Sequence, residues 1–306
     1  MPPLQRTNLQ RLSTLYVLPG AAIGDLVWSR DDTTLAIAQE ASITLYRLHA
    51  TADSAIVLTD HTAYVACLAF SADGQWLASA SHDTTVRLWH LPLSPHHAIL
   101  TGHTNMAVDV AFHPNSTLVV SAGSWDRTVR VWDIATRTSS VQLLGDSDSV
   151  GTIAISPNRQ WLAAAGNDGI IRLWTYPYNQ SPEQLYGHTD TITHLAFAPD
   201  STVLASVSLD ATYRRWDMHN RAMPATVIEL PDWGLCITYH PSGAFAAIGL
   251  FDGRIQLRTI PDGTEIRSLP HHAKGVNALA FNHAGTLLIS GNQDHQQGQI
   301  CVWGLE

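Results

Sequence analysis

Apolar and polar positions alternate in short runs along this chain, and a turn closes each run. From Met106 the order is MAVDVAF, HPNS, TLVVSAG, SWDR and TVRVWDI, and SSVQLLG follows after a polar break. Alternating runs of about 4–8 residues, bounded by Gly, Pro, Asn, Asp and Ser, predict half-buried strands joined by hairpin turns. No convincing amphipathic helix interrupts them.

The pattern returns at a fixed interval. The aromatic that closes each RLW-like run falls at Tyr46, Trp89, Trp132, Trp174, Trp216 and Trp303, and Arg258 fills the remaining slot. Successive gaps are 43, 43, 42, 42, 42 and 45 residues. The end of each LAF-like run, at Trp28, Phe70, Phe112, Ile155, Phe197, Tyr239 and Phe281, gives gaps of 42, 42, 43, 42, 42 and 42. Two independent markers thus keep a seven-fold register. Four short strands per repeat, seven times, predict an all-β propeller with one blade per repeat.

The stretches GHTNMAVDVAFHPN, VSAGSWDRTVRVWDI and GHTDTITHLAFAPDSTVLASVSLDATYRRWDM resemble WD40 repeats. The resemblance covers nearly the whole chain and implies one seven-bladed domain over residues 1–306. CVWGLE follows a third strand, so blade 7 lacks its outer strand there. The N-terminal strand, about residues 12–19, is expected to supply it and close the ring. That joint favours a complete domain over a fragment.

His188, Ser206 and Asp210 are the residue types of a hydrolase triad. The resemblance implies another role, a buried His–Ser–Asp–Trp chain of hydrogen bonds in each blade. The matching sets are His61, Ser79, Asp83, Trp89; His103, Ser121, Asp126, Trp132; His188, Ser206, Asp210, Trp216; and His272, Ser290, Asp294, Trp303. A nucleophile with its base should occur once, in a cleft beside an oxyanion site. Four copies argue for scaffold, so no catalytic residue and no enzyme are expected. Blade 4 keeps Asp168 and Trp174 but has Asp146 and Ala164 in the other positions. Blade 6 keeps only Asp252, with Leu230, Ile248 and Arg258, and blade 1 has Glu40 and Tyr46. Blades 1, 4 and 6 are therefore expected to rely more on apolar packing and to open more readily.

Charge narrows the partners. Lys plus Arg number 17 against 26 Asp plus Glu, a formal net charge of -9, which disfavours nucleic acid and anionic membrane surfaces. Cys67, Cys236 and Cys301 are odd in number and lie in apolar runs, which suits buried thiols in a reducing compartment. MPPLQRTNLQ has no apolar signal region, and no apolar run reaches membrane-spanning length. A cytoplasmic location is expected. The sixteen histidines, including the pairs His96–His97 and His271–His272, show no spacing that predicts a metal site, and no cofactor is expected. The oligomeric state is open.

The resemblance also implies a binding face, the top of the ring, with three positions per blade. They lie six and four residues before the LAF-like marker and one before the tetrad Asp. Blades 1 to 7 contribute Ala22, Gly24, Gln39; Tyr64, Ala66, His82; Met106, Val108, Trp125; Ser149, Gly151, Asn167; Thr191, Thr193, Leu209; Trp233, Leu235, Phe251; and Gly275, Asn277, Gln293. None is charged. Bulk gathers at Tyr64, His82, Met106 and Trp125, and again at Leu209, Trp233, Leu235 and Phe251. Grouped aromatics suit an interface. Trp125 and Trp233 have no repeat explanation and either anchor a partner or plug the channel mouth. The reading is a non-catalytic scaffold that binds a protein or peptide segment, apolar or neutral, across this face. The alternative is a small-molecule binder or unusual enzyme using the same face as a pocket.

Overall fold

The computed structural model describes residues 2–5, 7–20, 22–47, 55–91, 97–144, 148–260, 262–270, 272–292, 294 and 298–305. Seven four-stranded antiparallel sheets form the ring, and one 3-10 turn, Leu9–Arg11, is the helical element among the described residues. The innermost strands are Ile23–Trp28, Val65–Phe70, Ala107–Phe112, Val150–Ile155, Ile192–Phe197, Gly234–Tyr239 and Val276–Phe281. Each pairs with the next strand in sequence, and the chain meanders outward through the blade.

The second strands are short, and small residues recur in them: WLASAS, LVVSAG, WLAAAG and VLASVS. Each lies between two neighbouring blades and is buried almost throughout. Small side chains let the sheets approach, and larger ones fill the gaps between blades. Between blades 2 and 3, Ala78, Ala80, Val86 and Leu88 meet Val110, Phe112, Val119 and Trp132. Seven such clusters are distributed around the ring.

The ring closes as the sequence predicts. Leu12–Gly20 runs antiparallel to Gly298–Leu305, pairing Leu12 with Leu305, Thr14 with Trp303 and Gly20 with Gly298. The residues before that strand do more than reach it. Leu4, Leu9 and Leu12 are buried in the cluster between blades 6 and 7. The Leu4 N–H donates to the Gly285 carbonyl at 2.7 Å, and Arg267 donates to the carbonyls of Leu9 and Leu12. The repeat pattern carries no signal for this anchor, because it lies outside the period.

One irregularity recurs in every blade. The innermost strand carries a register shift near its start, between Ile23 and Asp25, Val65 and Cys67, Ala107 and Asp109, and at the matching places in the other four. The extra residues are Gly24, Ala66, Val108, Gly151, Thr193, Leu235 and Asn277. A bulge of this kind turns a side chain away from the regular pleat. Gly24 cannot be replaced without movement, because a Cβ there would fall 2.0 Å from the Val65 carbonyl oxygen.

Candidate functional site

The His–Ser–Asp–Trp chain is continuous in blades 2, 3 and 5. In blade 5, His188 Nδ1 donates to Asp210 Oδ2 at 2.8 Å, the Ser206 hydroxyl donates to His188 Nε2 at 2.7 Å, and Trp216 Nε1 donates to Ser206 Oγ at 2.9 Å. Blade 2 repeats this through Asp83, His61, Ser79 and Trp89 at 2.7, 2.8 and 3.0 Å, and blade 3 through Asp126, His103, Ser121 and Trp132 at 2.7, 2.7 and 2.8 Å. In blade 7 Ser290 meets His272 and Trp303, while Asp294 pairs with Lys274 at 3.3 Å. All four serines are fully buried. No substrate reaches these hydroxyls, and the indole N–H already occupies the oxygen. Burial holds His61 and His188 below the usual imidazole range, against the pull of their aspartates. Burial would raise Asp83, but hydrogen bonds from Thr85, His61 and the Thr62 N–H hold it at about 2.

Two departures are rewired through polar groups rather than filled by apolar packing alone. In blade 4 the buried Arg172 reaches Asp168 at 2.7 Å. Asp146 lies outside the described residues. In blade 6 the buried Arg258 replaces Trp, donating to Gln256 Oε1 at 3.0 and 2.9 Å and to the Gly263 carbonyl at 2.9 Å. A guanidinium taken out of water needs these partners, and it finds them within its own hairpin. In blade 1, Tyr46 remains 39% exposed.

In four blades two of the three predicted top-face positions are bonded to each other. The N–H before the tetrad Asp bonds the carbonyl of the residue six before the marker: His82 to Tyr64 at 2.9 Å, Asn167 to Ser149 at 3.2 Å, Leu209 to Thr191 at 3.0 Å and Phe251 to Trp233 at 3.0 Å. Two blades depart from this. In blade 1 Glu40, not Gln39, makes the bond, to Ala22 at 3.3 Å. Its hairpin turns at Glu40 and Ala41, so an exposed carboxylate reaches a face expected to be uncharged. In blade 3 Ser124 bonds Met106 at 2.9 Å, and Trp125 follows it in a hairpin one residue longer than that of blade 2. Gln293 lies outside the described residues.

Trp125 is 58% exposed, Trp233 44% and Phe251 52%, so these rings stand in solvent and do not plug the channel. Trp233 and Phe251 form a tilted pair with centroids 4.9 Å apart. Leu209, Leu235 and Met106 are half-buried. Tyr64 is tied down: its hydroxyl donates to the Ile23 carbonyl at 3.0 Å, and its ring rests 5.2 Å from that of His82.

Between the two ridges all seven bulge residues line one cavity of about 220 Å³ at the axis. Behind them stand Asp25, Cys67, Asp109, Thr152 and His194. These side chains stitch neighbouring blades. Asp25 accepts from the Leu68 N–H at 2.9 Å, Asp109 from the Ile153 N–H at 2.7 Å, and Thr152 from the Leu195 N–H at 3.2 Å. The Cys67 thiol donates to Asp109 at 3.0 Å. Sequence reasoning missed this ring of residues three before each marker, although Asp25, Asp109 and His194 break otherwise apolar runs at the same repeat position. Among the described residues, no group of three or more His, Cys, Asp or Glu could hold a metal ion.

A closed ring of seven four-stranded blades, sewn by His–Ser–Asp–Trp chains, defines a β-propeller of repeat type. The family described as WD domain, G-beta repeat, matches residues 53–90, 95–133, 138–175, 179–217 and 263–304. The chain belongs to the WD40 family. The unmatched stretches hold blade 1 and most of blade 6, which have lost most of the tetrad. WD40 propellers generally bind protein partners and are generally non-enzymatic scaffolds.

Similar proteins include the Pre-rRNA-processing protein IPI3 of Mycosarcoma maydis, 37% identical over 26% of this chain and 13% of that protein. WD repeat and SOCS box-containing protein 1 of Homo sapiens is 41% identical over 22% of this chain and 16% of its own length. The Target of rapamycin complex subunit wat1 of Schizosaccharomyces pombe is 30% identical over 32% of each. The matches thus span a third or less of these relatives.

Proposed function

We propose that this propeller is a non-catalytic platform that holds a segment of a partner protein across its top face. The observation that carries the reading is the pair of exposed aromatic ridges, Trp125 on blade 3 and Trp233 with Phe251 on blade 6. Large rings on one face, held by stiff hairpins, are the usual anchors of an interface. A segment lying across the axis would touch both ridges. The axial cavity, about 220 Å³, is smaller than the roughly 300 Å³ at which pockets for whole small molecules begin. That favours a platform over a ligand pocket. Of the relatives, one is named for pre-rRNA processing and one as a subunit of a target of rapamycin complex, and the second name fits a platform that works within an assembly. Three free cysteines suit a reducing compartment, in keeping with a cytoplasmic location.

The test is affinity capture from source-cell lysate with wild type and the Trp125→Ala/Trp233→Ala variant. Both residues are exposed, so the variant should keep its unfolding free energy within about 0.5 kcal/mol of wild type. Partners held by wild type and lost by the variant are expected. Identical captured sets would remove the top face from consideration.

A further inference from the structure

The axial throat differs from the ion-paired sites of blades 2, 3, 4 and 5. In the blades, buried carboxylates meet a cation or an imidazole: Asp83, Asp126 and Asp210 face histidines, and Asp168 faces Arg172. In the throat, among the described residues, Asp25 and Asp109 accept from backbone N–H groups and the Cys67 thiol, and the His194 imidazole acts on Asp109 through its charge without a hydrogen bond. Among the described residues, no Lys or Arg lines the cavity. Two more polar atoms there are buried and without a partner among the described residues, Nδ1 of His194 and Oδ1 of Asn277. The Asn277 amide nitrogen is committed to the Ile23 carbonyl at 2.7 Å, so its oxygen is left as an open acceptor.

Two carboxyls, an open amide oxygen and an unpartnered ring nitrogen around a slender cavity make a receptor for a compact cation. From these contacts we infer that the partner segment carries a guanidinium or ammonium side chain, which enters the throat between the two ridges and pairs with Asp25 and Asp109. The inference rests on the top face being the partner's surface, and it replaces the neutral segment expected from the sequence with a cationic one flanked by apolar residues.

The state of the carboxyls agrees with a missing counter-charge. Burial raises Asp25 to about 7, with Asp109 adding to it, and burial raises Asp109 as well. Around this pair stand the Cys67 thiol on blade 2, the His194 imidazole on blade 5 and the Cys236 thiol on blade 6, while blade 4 contributes the neutral Thr152. Burial favours the uncharged form of all three titratable groups. Among the described residues that line the throat no Lys or Arg supplies a positive charge, and burial favours the neutral form of His194, the imidazole that acts on Asp109. A cation entering the throat favours ionised carboxyls, releases a proton, and binds more tightly as pH rises from about 6 to 8.

The probe is n-butylguanidinium, with N-butylacetamide as its neutral counterpart, titrated calorimetrically into the full chain at pH 6 and pH 8. Expected are one saturable site for the cation, at least fivefold tighter at pH 8, and no binding of the amide. Asp109→Asn should weaken the cation at least tenfold. Gly151→Lys supplies an internal cation from a position where a Cβ meets nothing closer than 3.9 Å, so it should abolish binding without touching the carboxyls' hydrogen bonds. Trp125→Ala/Trp233→Ala should bind the probe like wild type, so loss of the platform reading and loss of the throat site separate cleanly. No saturable binding to wild type, or unchanged binding to folded Gly151→Lys, would overturn the proposal.

Discussion

Ser206 donates to His188 and accepts from Trp216 at a place closed to solvent. Removing its oxygen leaves an indole N–H and an imidazole nitrogen unsatisfied at once. Ser206→Ala should therefore cost about 1–3 kcal/mol in urea unfolding, the toll of orphaned buried groups. Single residues also set opposing pH trends. Asp83 and Asp126, at about 2 in the fold, add stability above the unfolded value near 4 and lose it as pH falls toward 2. Asp25, at about 7, acts the other way: its folded form holds the proton more tightly than the unfolded chain. Its contribution is best below pH 4, falls as pH rises to 7, and is flat beyond. The stability of wild type relative to Asp25→Asn should follow that curve, on top of a constant offset for the altered hydrogen bond. A difference that does not change between pH 4 and 7 would contradict the assignment.

At the scale of the element, the hairpins differ in what holds them. Blades 2, 3 and 5 carry complete tetrads. Blade 4 leans on Arg172 and Asp168, blade 6 on Arg258, and blade 1 on neither. Amide exchange should be fastest in blade 1, intermediate in blades 4 and 6, and slowest in blades 2, 3 and 5. Equal protection around the ring would show that packing between blades dominates over these chains. Much of this level was legible in the sequence, because a hairpin in a repeat obeys one local pattern: strand runs, turn residues and tetrad positions recur. What escaped was whatever depends on one residue more or less. Glu40 takes the place expected of Gln39 because a two-residue turn closes blade 1 early, and Trp125 follows Ser124 because blade 3 is one residue longer. The throat ring escaped for a different reason. Asp25, Asp109 and His194 sit on three separate repeats, and only the closed circle brings them to one axis.

For the whole molecule, the arrangement is a rigid ring whose charge is unevenly placed. The chain carries a net charge of -9, two aromatic ridges cross one face, and buried carboxyls with no Lys or Arg beside them among the described residues sit at the centre. Steering of a basic segment toward that face would weaken with salt, while the ridge contacts would not. The ring's seam sets a further condition. Leu12 and Leu305 become neighbours only once the whole ring has been made, so the last blade is built by a contact between the first and the last strand of the ring. A ribosome making this protein exposes six blades with a raw flank while the seventh waits. During that interval the unpaired strand edges are open to other chains. Chaperone demand during synthesis is thus a property of the seam, and a circular permutant that moves the seam elsewhere would move the vulnerable flank with it.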